Sequence, residues 1–397
     1  MSQEVSVSAG ILREHIDRDR LIDRLTRLVK TPSENPPGNE AEAGKLVASF
    51  CEELGLDVSI HEGEAGRPNV IARWSSGEGP TLGFCSHIDV VPAGDRSLWP
   101  VDPYSAELRD GRMYGRGACD AKGPIAAALE AVAVLKEASV PLAGTLELEL
   151  VSDEEAMGTV GAGYLSEQRI IRPDIAVVGE PTSLKVVHAQ RGACWLVITT
   201  RGLAGHGSAP ERGVSAIKHM AEIVVRLEET LPDISHAVLG GPSINVGTIK
   251  GGEKVNIVPA SCVIEVDRRS VPPEKKEDVL ATVENAVDRA RERYPDLDAR
   301  VEFAFYGEPF EVDEHATIVE TVARATSEAC DRPAELAGFR GASDARYLAR
   351  AGADVVVCGP GEIALAHTAR ESLDLEELER AAVAYALAFA RLLAPSG

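Results

Sequence analysis

Three short apolar runs constrain this chain most, because each stops on a side chain that binds metals or protons. TLGFCSH (81–87) ends on His87 with Asp89 just behind it. TLELELVSD (145–153) leads into Glu154 and Glu155, and DIAVVGE (174–180) ends on Glu180. The runs are strand length and alternate with helical patterns such as PIAAALEAVAVLKEA, which predicts an α/β layer with a mostly parallel sheet. In open sheets of this kind sites form at the carboxyl ends of strands. The four acids and the histidine are therefore expected to meet in space, although they are far apart in sequence.

Around that sheet the pattern is regular on both sides of one interruption. Residues 18–30 put Leu21, Leu25, Leu28 and Val29 on one helical face, and NEAEAGKLVASFCEELG is a second amphipathic helix ending near Gly55. Near residue 193 the texture changes to strand, helix, strand, strand, helix, strand, the ferredoxin-like order. After it come a helix at 313–330, the strand ADVVVCGPG and a terminal helix from 374 to about 394. The prediction is a discontinuous α/β catalytic domain over 1–192 and 307–397, with an inserted α+β domain at 193–306. A length of 397 residues accommodates two such domains.

Composition narrows the function. Lys plus Arg number 41 and Asp plus Glu 63, a net charge of −22. So acidic a chain is not expected to bind nucleic acid or an anionic membrane. No apolar run approaches the ~20 residues of a membrane span. The first 20 residues show no basic stretch leading into an apolar one, so no secretory signal is read. Seven scattered cysteines without a CxxC pair read as reduced core thiols, which points to a cytoplasmic location.

Two more residues complete the chemistry. Asp120 lies in the Gly-rich loop YGRGACDAKG ahead of a helix, and His367 follows a GPG loop after a late strand. Two histidines with several carboxylates suit one or two divalent ions of the zinc, cobalt or manganese type. One carboxylate could bridge two ions while a neighbour acts as general base, a division that fits Glu154–Glu155. Asp89 could accept the other ring N–H of His87 and so fix its tautomer. Taken singly, each of these residues would read as an ordinary polar surface group. HExxH, GxSxG and GxxxxGK[ST] are all absent, and GRGACD lacks the third glycine of a dinucleotide fingerprint.

SHIDVVPAGD, WPVDPYSAELRDGRMYGRGACDAKG, VSDEEAMG, GEPT and GPGEIALAH, in this order along nearly the whole chain, resemble the M20 family of metallopeptidases and deacylases. VVGEPTSLKVVHAQRG and CGPGEIALAHTARES are most similar to its acetylornithine deacetylase and succinyl-diaminopimelate desuccinylase branch. The resemblance implies two Zn²⁺ ions, with Co²⁺ or Mn²⁺ as substitutes. His87 and Glu180 would hold one and Glu155 and His367 the other. Asp120 would bridge them, with a cis peptide bond to Ala121. Glu154 would be the general base for a metal-bridged hydroxide, and Asp89 would orient His87.

The insert resembles the family's lid. His206, in RGLAGHGSAP, would donate to the oxyanion from a dimer partner, Asn256 in KVNIVP would lie near substrate, and Arg269 of Asp267-Arg268-Arg269 would clamp a substrate carboxylate. Ser86 and Pro124 depart from the family pattern without removing a ligand. The implied activity is hydrolysis of the amide of an N-acyl amino acid, of acetylornithine or succinyl-diaminopimelate type, by a homodimer joined through the insert. A dipeptidase, carboxypeptidase or aminoacylase would share this metal site. A metal-binding module without catalysis is the alternative of another class, and it would have no need of Glu154.

Overall fold

The computed structural model of the protein describes residues 8–395, and in it the three apolar runs lie side by side. Thr81–His87 pairs in parallel with Thr145–Val151 on one side and Ile175–Val178 on the other, and Asp354–Val357 adds in parallel to the last. Arg67–Ser75 and Asp57–Glu64 extend one edge antiparallel, and Val186–Gln190 pairs antiparallel with Asp354–Val357. The sheet is thus parallel through its centre. Its central strands are almost wholly buried, as strands covered on both faces must be. Lys122–Glu137 and Leu375–Leu392 are the principal helices of this unit. The second is anchored by Tyr385 and Phe389, whose ring centroids lie 5.0 and 6.0 Å from that of Phe84. A small sheet of Glu107–Arg109, Arg112–Tyr114 and Ser372–Asp374 has no counterpart in the sequence reading.

Residues 189–311 with 338–342 form a second unit, and the remaining described residues form the first. The expected boundaries, 192/193 and 306/307, therefore move outward to 188/189 and 311/312. The short segment Gly338–Ala342 joins the insert because Arg191 N–H donates to Phe339 O at 3.0 Å. Within this unit the strand order is Ser243–Gly251, Ser261–Ser270, Gly192–Arg201, Asp298–Gly307, all antiparallel, which is the ferredoxin-like arrangement. Alternation puts Cys194, Leu196 and Ile198 with Cys262, Ile264 and Val266 in one core with the apolar faces of Ala216–Glu229 and Lys276–Arg293. All seven cysteines are free thiols. Among the described residues no helix is long and apolar enough to cross a membrane.

One residue of the central sheet breaks the apolar pattern. Glu149, opposite Cys85 on the neighbouring strand, is fully buried, and neither of its carboxylate oxygens finds a donor. Burial, with the charge of Glu147 behind it, pushes its carboxyl well above the usual range. A carboxyl raised on folding contributes stability below its unfolded value near 4.5 that is lost as pH rises through the folded value. Glu149→Leu is expected to stabilise the protein by about 1–2 kcal/mol at pH 8, with a smaller gain at pH 5. Thermal melts at the two pH values check this, and a gain equal at both would contradict the assignment.

Candidate metal centre

The strand ends and loops of the first unit bring His87, Asp120, Glu154, Glu155, Glu180 and His367 together. His87 Nε2 stands 3.1 Å from Asp120 Oδ1 and 3.9 Å from Glu180 Oε2. The second oxygen of Asp120, Oδ2, faces the other imidazole, 3.3 Å from His367 Nε2. His367 Nε2 in turn lies 3.0 Å from Glu155 Oε2. Asp120 therefore presents one oxygen to each histidine, and its peptide bond to Ala121 is cis.

Each group is held by its own local structure. Ser86, the departure noted in the sequence, donates its hydroxyl to Gly179 O at 2.9 Å and lies 3.2 Å from Ala121 O, tying the strand end to both neighbouring ligand segments. Glu371 Oε1 accepts the N–H groups of Cys119 and Asp120, each at 3.2 Å, and its other oxygen pairs with the buried Arg116. The loop before His367 packs so closely that a Cβ on Gly361, at φ +106°, would stand 2.6 Å from Cys119 Cβ; only glycine fits there.

Glu154 and Glu155 ride on a single 3₁₀ turn, Glu154–Ala156, flanked by Asp153 and Met157 in the left-handed region at φ 77° and 79°. Asp89 meets His87 through its main chain more closely than through its carboxylate. His87 Nδ1–H donates to the backbone carbonyl of Asp89 at 2.9 Å, while the carboxylate is 3.6 Å away. A main-chain acceptor therefore holds Nδ1–H, and Nε2 faces Asp120, where it could meet a cation. The Asp89 carboxylate instead accepts the N–H groups of Glu154 and Glu155, each at 3.2 Å, and the amide of Asn35 at 2.9 Å.

The electrostatics fit a cation. Burial, then the charge of Glu180, pushes the Glu154 carboxyl well up; burial raises Glu180; burial and the charge of Asp120 raise Glu155. Hydrogen bonds to Asp120 and Glu155 lift His367 to about 10. Against the effect of burial, His367 and His87 hold Asp120 below the usual carboxylate range. Glu180 Oε1 is buried with no hydrogen-bond partner. Two sets lie at ligand spacing among the described residues: His87, Asp120 and Glu155, and His87, Glu154 and Glu180. Carboxylates and imidazoles so arranged suit one or two divalent ions. Glu154 falls within a ligand set, so distance alone does not separate a base from a ligand at that position.

The other candidates lie in the second unit. His206 is exposed on a loop, and its Nδ1 accepts from Ser208 N–H at 3.2 Å with Ser208 Oγ at 2.7 Å, so the neutral ring carries its proton on Nε2. Asn256 adjoins that loop, since its carbonyl accepts Gly207 N–H at 2.8 Å. Arg268 is fully buried and bound to Glu274, whereas Arg269 is partly exposed and pairs through Nε with Asp267 at 2.9 Å. Strand alternation thus commits Arg268 to the core and leaves Arg269 partly exposed. The sequence reading passed over Asn35, Glu371, Arg346 and Tyr347. None carries a local signature, because their partners lie 54 to 255 positions away.

Comparison with known proteins agrees with this architecture. The chain is 32% identical over 331 residues to an acetylornithine deacetylase of Myxococcus xanthus, covering 81% of this chain and 83% of that one. It is 31% identical over 354 residues to an acetylornithine deacetylase of Aliivibrio salmonicida, covering 86% and 89%. Among solved structures it is similar to an aminopeptidase, PepT, of Bacillus cereus, with a TM-score of 0.81, 27% identity, and 95% and 99% of the two chains covered. An M20 family metallo-carboxypeptidase of Sulfolobus solfataricus shares the fold at a TM-score of 0.77 and 19% identity, with 94% and 99% covered. The model of peptidase family M20/M25/M40 matches residues 83–391, and the chain belongs to that family of metal-dependent hydrolases.

Proposed function

We propose that the protein is a two-metal amidohydrolase that cleaves the amide bond of an N-acyl amino acid, of the acetylornithine or succinyl-diaminopimelate type, releasing a carboxylate and an amine. The observation that carries the reading is Asp120, whose two oxygens each face a different histidine. His87 and Glu180 would hold one ion, Glu155 and His367 the other, and Asp120 both; zinc suits the donors, with cobalt or manganese as substitutes. Ions held there would supply Lewis-acid polarisation of a carbonyl and activation of water. Glu154 would accept the proton of the attacking water and deliver it to the leaving nitrogen. Asp89 holds the backbone of Glu154 and Glu155 in place. His206 Nε2–H supplies an oxyanion donor, and Asn256 supplies a neighbouring polar contact to substrate.

The second unit favours a substrate with an anionic end. Arg269 pairs in register with Ala193, two residues beyond Arg191, and Arg340 follows the Phe339 carbonyl bound by Arg191. Burial and the charges of Arg340, Arg269 and Arg268 push the Arg191 guanidinium below its ordinary range. Such crowding of cations in an acidic chain suits one or two ligand carboxylates. Arg269→Met is expected to raise KM ~10-fold or more, with kcat changed less than ~3-fold, the cost of one charge-assisted contact. Steady-state kinetics check it, and an unchanged KM removes Arg269 from the substrate site.

The similarity to an aminopeptidase supports a second reading, a peptidase of short substrates. N-acetyl, N-succinyl and dipeptide substrates, assayed with Zn²⁺, Co²⁺ and Mn²⁺, separate the two. Cleavage of none of them with any metal would sink both. The reading includes a homodimer through the second unit, supported by its edge strand Ser243–Gly251 with exposed Ile249, and by exposed Ile217 and Val225 on the helix Ala216–Glu229 packed against it. Light scattering should then give the mass of two chains.

A further inference from the structure

We propose that Arg346 and Tyr347 are positioning residues for Glu154, acting through the carbonyl of Met157. The proposal rests on the reading of Glu154 as general base. Arg346 Nη2 donates to Met157 O at 2.7 Å, and Tyr347 Oη–H donates to the same oxygen at 2.6 Å. Both side chains are buried, at 2% and 6% exposure, and the guanidinium lies 4.6 Å over the Tyr347 ring, so neither donor shifts without the other.

The acceptor is what gives these bonds a function. The Glu154–Ala156 turn is one turn long, and its own main-chain bonds run only from Ala156 and Gly158 to Asp153 and from Met157 to Glu154. So short a turn does not hold its shape unaided. Asp153, at its start, is fixed by Arg67 at 2.8 Å, and its middle N–H groups are fixed by Asp89. At its end Met157 sits in the left-handed region, φ 79°, which strains a non-glycine residue and persists only when its surroundings impose it. Arg346 and Tyr347 impose it. Two donors on one carbonyl keep the peptide plane after Met157 from turning, and so keep the Glu154 carboxylate from swinging out of line. The helix Ala345–Arg350, which carries both donors, packs close to the following residue: a Cβ on Gly158 would come within 3.1 Å of the Tyr347 ring.

The test uses the metal-loaded full chain and the substrate that the wild type cleaves best. Tyr347→Phe removes one donor and little else, and is expected to lower kcat ~5- to 20-fold, with KM within ~2-fold and metal content unchanged. Arg346→Met is expected to lose more than Arg346→Lys, which keeps a cation and one donor. In the Glu154→Gln background Tyr347→Phe should cost nothing further, because its effect passes through the Glu154 carboxylate. Additive losses, or a fall in metal content or affinity in place of kcat, would overturn the proposal. If Glu154→Gln is inactive and Tyr347→Phe and Arg346→Lys match wild type, the positioning claim alone fails. If Glu154→Gln is itself as active as wild type, the reading of Glu154 fails and takes this proposal with it.

Discussion

Glu154→Gln is expected to lower kcat by ~10³-fold, within the range a positioned general base supplies, while bound metal and KM stay near wild type. Glutamine keeps the side-chain length and the N–H bond to Asp89, so the turn stays in place and only proton transfer is lost. The measurement also separates two roles that the geometry leaves together. Glu154 shares ligand spacing with His87 and Glu180. If it is a ligand, the amide weakens metal binding and elemental analysis shows a deficit. If it is the base, metal is retained and turnover is lost. A kcat within ~10-fold of wild type would count against the base assignment.

Removing metal is expected to abolish hydrolysis, to be reversed by Zn²⁺ or Co²⁺, and to lower thermal stability. An ion present at 100 times its Kd stabilises the folded state by about 2.7 kcal/mol. The pH dependence of the metal-free protein gives a separate check. His367, lifted to about 10 by Asp120 and Glu155, contributes stability that is full below its unfolded value of 6.5 and is lost as pH rises through 10. The raised carboxyls of Glu154, Glu155 and Glu180 act in the same direction from about 4.5 upward. Asp120, held low, weakens the fold only at strongly acid pH. The metal-free melting temperature should therefore fall between pH 6 and 10, and added zinc should flatten the slope by binding the neutral imidazole and the charged carboxylates. A metal-free protein as stable at pH 9 as at pH 6 would contradict the coupling drawn between His367, Asp120 and Glu155.

Most of the fold was readable in the chain because its signals are periodic. The strand runs before His87, Glu154 and Glu180 are short and apolar, and the insert announces itself by a change of alternation at 193. The same strand-end rule located most of the candidate site. What escaped depends on backbone geometry or on distant pairing. Asp89 was read as a side-chain acceptor for His87, but its main-chain carbonyl lies nearer. Glu371 in ARES looks like any exposed acid until the fold buries it against Arg116 and the amide of Asp120. Arg346 and Tyr347 meet a carbonyl 189 and 190 positions upstream, beyond the reach of any periodicity argument. The insert boundary shifted because Val186–Gln190, inconspicuous in sequence, is a strand that runs across the junction.

The order of strands in the main sheet has a consequence for how the protein is made. Asp354–Val357 lies between Ile175–Val178 and Val186–Gln190, two strands synthesised 164 to 179 residues earlier. Until the ribosome has passed that strand, Ile175–Val178 has an open edge and Val186–Gln190 has no strand to join it to the rest of the sheet. The 189–311 segment holds all four strands and both core helices of the insert's sheet layer and can fold as it emerges. His367, Glu371 and the Leu375–Leu392 helix arrive last, so the candidate metal centre and the cover over Phe84 are completed in one late step. Long-range closure of this kind is slow and exposes apolar strand edges while it waits. Truncation even slightly short of the C-terminal helix should then yield an aggregating chain rather than a weakly active enzyme.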